Sequence, residues 1–185
     1  VDAWMAEHDR DGLDAIIVNA SGCGTSVKDY GFMLRGDPAY ADKAAKVSGL
    51  TQDIVEFMLE IGLKDPKPPE QLRVAYHSAC SMQHGQQLKD EPKALLEDAG
   101  FRISTPAEPH LCCGSAGVYN IMQPEIAGRL KARKAGNLDK LGADVVTAGN
   151  IGCITQLHGA ISAPIVHTVE LLDWATGGPK PAKLQ

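Results

Sequence analysis

The sequence predicts an α/β fold in which a parallel sheet is flanked by helices and cysteines stand at the carboxyl ends of the strands. Three observations carry this. Short apolar runs rich in β-branched residues alternate with stretches of helical periodicity. Most of these runs end in a turn of small residues, and cysteine recurs in the turns. Asp14–Cys23 and Asp144–Cys153 also share one plan: Asp, apolar strand, small-residue turn, Gly-Cys, then threonine at Thr25 or Thr155.

In chain order, Val1–Asp9 reads as a helix stopped by Asp11-Gly12, and Asp14–Val18 as a buried parallel strand. The Asn19–Thr25 turn opens a helix to about Leu34, placing Cys23 at a helix amino end that favours a thiolate. Arg35–Pro38 breaks it, and a helix to about Val47 follows. Thr51 and Asp53 cap another, with Ile54, Val55, Met58, Leu59 and Ile61 at helical spacing. Lys64–Pro69 is a stiff polar linker, so the chain divides into residues 1–63 and 70–178.

Arg73–His77 is the next strand, and Ser78-Ala79-Cys80 leads into a helix to about Leu88. Pro92–Ala99 is a helix stopped by Gly100, and Phe101–Ser104 a strand leading to Cys112 and Cys113. Pro124 suits the first turn of a long helix to about Leu141, with Arg129, Lys131, Arg133, Lys134 and Lys140 on a solvated face. Asp144–Ala148, turned by Gly149–Cys153 into a helix, and Pro164–Thr168, followed by Val169–Trp174, complete a Rossmann-like sheet. The Gly/Pro/Lys run from Gly177 reads as a frayed natural C-terminus, and the missing initiator methionine as the sign of a longer chain.

A net charge of −5 without a basic run gives no footprint for nucleic acid. No run reaches the roughly 20 apolar residues of a membrane span, and the acidic, amphipathic start is unlike a signal peptide. A cytoplasmic location follows, with any attachment to the inner membrane made through a complex. Five cysteines, two of them vicinal, make a disulfide framework the poorer account and metal or redox chemistry the better one.

That chemistry centres on Pro109–Gly117. Adjacent cysteines cannot pair without straining the peptide between them, so Cys112 and Cys113 need outside partners. Thirty-one residues separate Cys80 from Cys112, and thirty-nine separate Cys113 from Cys153. Four thiolates from three segments complete a set of ligands for zinc or for an iron–sulfur cluster. His77, His84 and His110 flank the cysteines, and His84 is carried as the candidate that supports a thiolate. On the repeat, Cys23 is the last ligand of an earlier site whose other cysteines precede Val1. No G-x-G-x-x-G follows any strand, which argues against a dinucleotide site.

Cys80, the Cys112-Cys113-Gly114 turn and Gly152-Cys153 resemble the cysteine-rich CCG module of the heterodisulfide-reductase type. The surroundings, His77–Cys80, His84-Gly85-Gln86 and Cys112–Gly117, most resemble iron–sulfur subunits of glycolate oxidase. The resemblance implies the tail of one CCG module followed by a complete one. It also implies an FAD-containing glycolate oxidase subunit as partner, a quinone-linked acceptor, and a [4Fe–4S] cluster near backbone N–H groups from Gly114 onward. The family pattern ends Cys-x-x-Cys; here Asn150 replaces the first of that pair, and Ala20 shows the same loss in the first module. The four remaining thiolates fit zinc as well as an ordinary cluster, with Asn150 offering an oxygen or a hydrogen bond. Three functions stay open: an electron-transfer subunit, a disulfide-reducing catalytic module and a zinc-stabilised docking module.

Overall fold

The computed structural model describes residues 1–68 and 70–185, and it is an α/β structure with two parallel sheets. Helix α1 (Asp2–Asp11) ends at Gly12, whose φ of +80° suits glycine. Strand β1 (Ile16–Val18) leads into α2 (Ser21–Lys28), a short α3 (Tyr30–Met33) and α4 (Ala41–Leu50). Thr51–Asp53, expected to cap a helix, is instead strand β2, paired in parallel with β1. Only Asp53 caps α5 (Ile54–Ile61): its carboxylate accepts from Val55 N–H at 3.0 Å, and Glu56 accepts from the Asp53 N–H at 2.7 Å.

The second sheet contains β3 (Arg73–Tyr76), β4 (Arg102–Ser104), β5 (Val145–Ala148) and β6 (Ile165–His167) in the spatial order β4-β3-β5-β6. Helix α6 (Glu91–Asp98) joins β3 to β4; α7 (Tyr119–Met122) and α8 (Pro124–Asp139) lie between β4 and β5. Helices α9 (Ile151–Leu157) and α10 (Thr168–Ala175) follow β5 and β6. The chain runs outward from β3 to β4 and then returns to the other side of β3 for β5. The strand order therefore reverses between β3 and β5, the place where open α/β sheets bind ligands.

Alternation along the strands gives the sheet two buried faces. Val74, Tyr76, Val145 and Val166 enter one core with Val55, Leu95, Leu96, Leu171 and Trp174. Ala75, Val146 and Ile165 enter the other with Met82, Leu138, Leu157, Cys113 and Cys153. A third, smaller core joins Ile16, Val27 and Val47. Because Val55 comes from α5, the segment before the proline-rich stretch packs into the same core as the sheet after it. Within that stretch Pro69 lies outside the described residues, while the Lys67 N–H donates to the Ala175 carbonyl at 2.7 Å.

Three further expectations are corrected. After Cys80 the chain makes only one wide turn, Ser81–Gly85, in which Gln86 N–H reaches back five residues to the Ser81 carbonyl. Gln87 then takes a φ of +62°, which ends the turn well short of Leu88. Lys134 of α8 is fully buried, although its basic neighbours face solvent. The tail is docked: the Lys183 ammonium donates to the Ile165 carbonyl at 3.1 Å, and Leu184 packs against the larger core.

The repeat extends beyond the cysteine turns. β1-α2-β2-α5 and β5-α9-β6-α10 each pair two parallel strands, and each ends in a capping box. In the second box His167 Nδ1 accepts from Val169 N–H at 3.1 Å, while Glu170 accepts from His167 N–H at 2.7 Å. Among the described residues no helix is long and apolar enough to cross a membrane.

Candidate metal centre

All strands of the larger sheet are parallel, so their carboxyl ends share one edge, and the turns leaving that edge carry the cysteines. Cys80 follows β3, Cys112 and Cys113 sit on the loop after β4, and Cys153 is in the first turn of α9. The four thiols neighbour one another in a chain, Cys80 beside Cys112, Cys112 beside Cys113, and Cys113 within 4.8 Å of Cys153. All five cysteines are free thiols. Together with Ser115, Asn150 and Gly152, the four sulfur-bearing residues line a cavity of about 450 Å³.

Proton sharing along this chain sets alternate sulfurs apart. Hydrogen bonds from Cys113 and Cys80 pull the Cys112 thiol far down, with the Gly114 N–H adding to the effect at 3.3 Å from the Cys112 sulfur. Cys113, which gives up that bond, is pushed up, and so is Cys80. Cys153 is lowered, chiefly by its hydrogen bond from Cys113 and further by His77 beside it. Cys112 and Cys153 are thus driven towards the thiolate and Cys80 and Cys113 away from it, and a metal held by all four sulfurs would require each of them deprotonated.

Gly114 is held in place by geometry that only glycine tolerates. Its φ is +90°, and a side-chain carbon there would lie 2.5 Å from the Ala127 carbonyl oxygen. The loop is further fixed from below by Lys134, whose ammonium donates to the Glu108 carbonyl at 2.8 Å and the Pro109 carbonyl at 3.3 Å. Burial drives its pKa down, while the neighbouring Cys113 sulfur and the Glu108 carboxylate draw it back towards the charged form. A buried cation therefore underlies an electron-rich group of sulfurs.

Asn150 precedes the first turn of α9, lines the cavity and donates from Nδ2 to the Cys153 sulfur at 3.7 Å. Cys23, expected to serve a separate site, lines this same cavity from an exposed position on α2. It is brought there by a polar seam. Ser21 Oγ meets Ser81 Oγ at 2.7 Å, Ser21 N–H donates to the Gly149 carbonyl at 3.1 Å, and Thr25 Oγ1 donates to the Ser81 carbonyl at 3.2 Å. His84 is exposed and outside the cavity lining, as is His110.

The histidine beside the sulfurs is His77, which lies in the core behind Cys113 and Cys153 and not in the cavity lining. It is 1% exposed, and its ring nitrogen lies within 4.8 Å of both the Cys113 and Cys153 sulfurs. Sequence reasoning preferred His84 to it; the discriminating signal was strand alternation, which sends residue 77 to the same face as Ala75. The signal that sequence reasoning passed over for Lys134 was its helical spacing, four residues from both Leu130 and Leu138 on α8.

Residues 74–158 match the cysteine-rich domain family designated CCG. The glycolate oxidase iron–sulfur subunit of Escherichia coli K12 is 38% identical over 175 residues, covering 95% of this chain and 43% of that protein. YkgE of the same organism is 30% identical over 88% of this chain and 71% of its own length. Lactate utilization protein A of Geobacillus kaustophilus is 24% identical over 86% of this chain and 70% of its own. The chain therefore spans less than half of the glycolate oxidase subunit it matches.

Proposed function

This chain belongs to the CCG cysteine-rich domain family, and from that membership we propose that it carries electrons in an iron–sulfur subunit of a 2-hydroxy-acid oxidase. The observation that carries the reading is the gathering of Cys80, Cys112, Cys113 and Cys153 at the strand-order reversal. These four residues would hold a [4Fe–4S] cluster, with zinc as the competing occupant. The donor set fits: four sulfurs within reach of one another, a buried cation to offset charge, and backbone and Asn150 N–H groups directed at sulfur. A bound cluster would supply one-electron storage. Around it the chain orients the sulfurs through the Gly114 turn, fixes the loop through Lys134 and covers the inner face with core residues.

In this reading residues 1–63 are the closing part of a first CCG module and residues 70–178 a second, and no side chain here performs acid–base chemistry on the hydroxy acid. An FAD-containing subunit would oxidise glycolate or a related acid and deliver electrons, which pass on towards a quinone-linked acceptor. The complex would be cytoplasmic, meeting the membrane only through its partners. The exposed rim supports docking: Ile151 on the cavity wall is 60% exposed, and Val118, Ile121 and Met122 on or beside α7 are 68–74% exposed. Asn120 ties α7 to α9 through Gln156 at 3.0 Å, so these apolar groups flank one opening.

The test is anaerobic mixing of the cluster-loaded full chain with a glycolate-reduced flavoprotein subunit. The visible absorption of the cluster bleaches on mixing if the proposal holds. Bleaching by dithionite but not by the reduced flavoprotein would refute the assigned donor.

A further inference from the structure

We propose that His77 is a fifth ligand of the centre, supplying a ring nitrogen beside the four thiolates. This rests on the metal-centre reading above and adds a donor that the cysteine pattern does not contain.

Strand geometry places the ring. Side chains of β3 alternate between faces, with Val74 and Tyr76 in one core and Ala75 in the other. The ladder continues one residue beyond the strand, because His77 N–H donates to the Thr147 carbonyl at 2.8 Å. Residue 77 must then project to the face of Ala75, which is the face closed by Cys113 and Cys153. The backbone thus fixes the ring at the centre independently of any ligand.

Burial then leaves that ring with the cysteine sulfurs, Cys153 first among them, as its polar neighbours. The side chain is 1% exposed, and among the described residues neither Nδ1 nor Nε2 has a hydrogen-bond partner of ordinary geometry. Leaving one buried polar atom unpaired costs about 1–3 kcal/mol, and most buried histidines avoid this with a carbonyl, a carboxylate or water. Here the groups that face the ring are sulfurs. The ring nitrogen and the two sulfurs lie within 4.8 Å of one another, so bonds of about 2.0–2.1 Å to nitrogen and 2.3 Å to sulfur need only a small closing of the group around one metal ion. Coordination would give an orphaned nitrogen its partner.

The count of donors points the same way. Asn150 stands where the CCG pattern has a cysteine, and its Nδ2 is turned to the Cys153 sulfur as a hydrogen-bond donor. His77 restores a fifth donor at the same end of the sulfur chain, since Cys153 is the sulfur that both residues meet. Cys23 is less suited to this place. It is exposed, and its position on α2 is set by contacts of Ser21 and Thr25 with the Ser81 turn.

The test is pulsed electron paramagnetic resonance of the full chain, reconstituted anaerobically with ferrous iron and sulfide and reduced with dithionite. Wild type, wild type with ¹⁵N-histidine and His77→Ala are compared. The expected result is a ¹⁴N coupling of the size of a bound imidazole, converted to the ¹⁵N pattern by labelling and lost in His77→Ala. Isotope labelling shows whether a histidine is bound even if that variant fails to fold, and His84→Ala and His110→Ala, both at exposed positions, then exclude the other flanking histidines. A reduced cluster without strong histidine coupling in wild type overturns the inference and leaves the four-thiolate centre standing; so does a coupling that persists in His77→Ala. Failure of wild type to take up iron and sulfide overturns both.

Discussion

Single residues in this chain are governed by what burial demands of them. Lys134 occupies a core position on α8, and its charge is tolerated because two loop carbonyls receive it next to thiolates. Lys134→Met would keep the bulk but strand the Glu108 and Pro109 carbonyls. A loss of about 1–3 kcal/mol in urea unfolding is expected, against less than about 0.5 kcal/mol for Lys140→Met at the exposed carboxyl end of the same helix. Equal effects of the two would mean that the buried ammonium does not organise the loop. The cysteines themselves were legible in the sequence, because vicinal thiols on a glycine turn have few other uses. The roles of His77 and Lys134 were not, since three histidines flank the cysteines and five basic residues share α8 and its end. Only the facing direction fixed by neighbouring elements separates them.

At the scale of elements, apolar strands announced themselves and polar ones did not. β3, β5 and β6 are largely buried and rich in valine, alanine and isoleucine, so composition alone marks them. β2 is Thr51-Gln52-Asp53, three polar residues whose strand character comes only from pairing with β1. Its last residue carries a measurable cost. Asp53 is fully buried, its second carboxylate oxygen is unpaired, and desolvation raises its pKa to about 6. A carboxyl whose folded pKa exceeds its unfolded value binds a proton more readily when folded, so stability falls as pH rises from about 4 to 6 and stays lower above that. At roughly 1.4 kcal/mol per pKa unit the loss is about 3 kcal/mol. Asp53→Asn retains a capping side chain without the charge. Relative to wild type, its unfolding midpoint in urea should therefore be higher at pH 8 than at pH 4.5; an unchanged difference would show that Asp53 is not held charged in a desolvated site.

For the whole molecule, the doubled architecture explains why one cavity collects cysteines from distant segments. The two strand-helix-strand-helix units meet where α2 lies on the Cys80 turn. His167 joins them by a hydrogen bond at 2.6 Å to the Asn19 carbonyl while capping α10. The sequence revealed the repeat through its Gly-Cys turns, but it could not show that Cys23 faces the same cavity as the other four cysteines, because that depends on contacts between the units. The central claim is that this cavity is built for an iron–sulfur centre. Its most direct test is iron and sulfide determination with an absorption spectrum on the full chain, prepared anaerobically as wild type and as Cys112→Ser. Iron and sulfide with a broad visible band in wild type, lost in the variant, is the predicted result. Zinc near one per chain, or no metal in either protein, would contradict it.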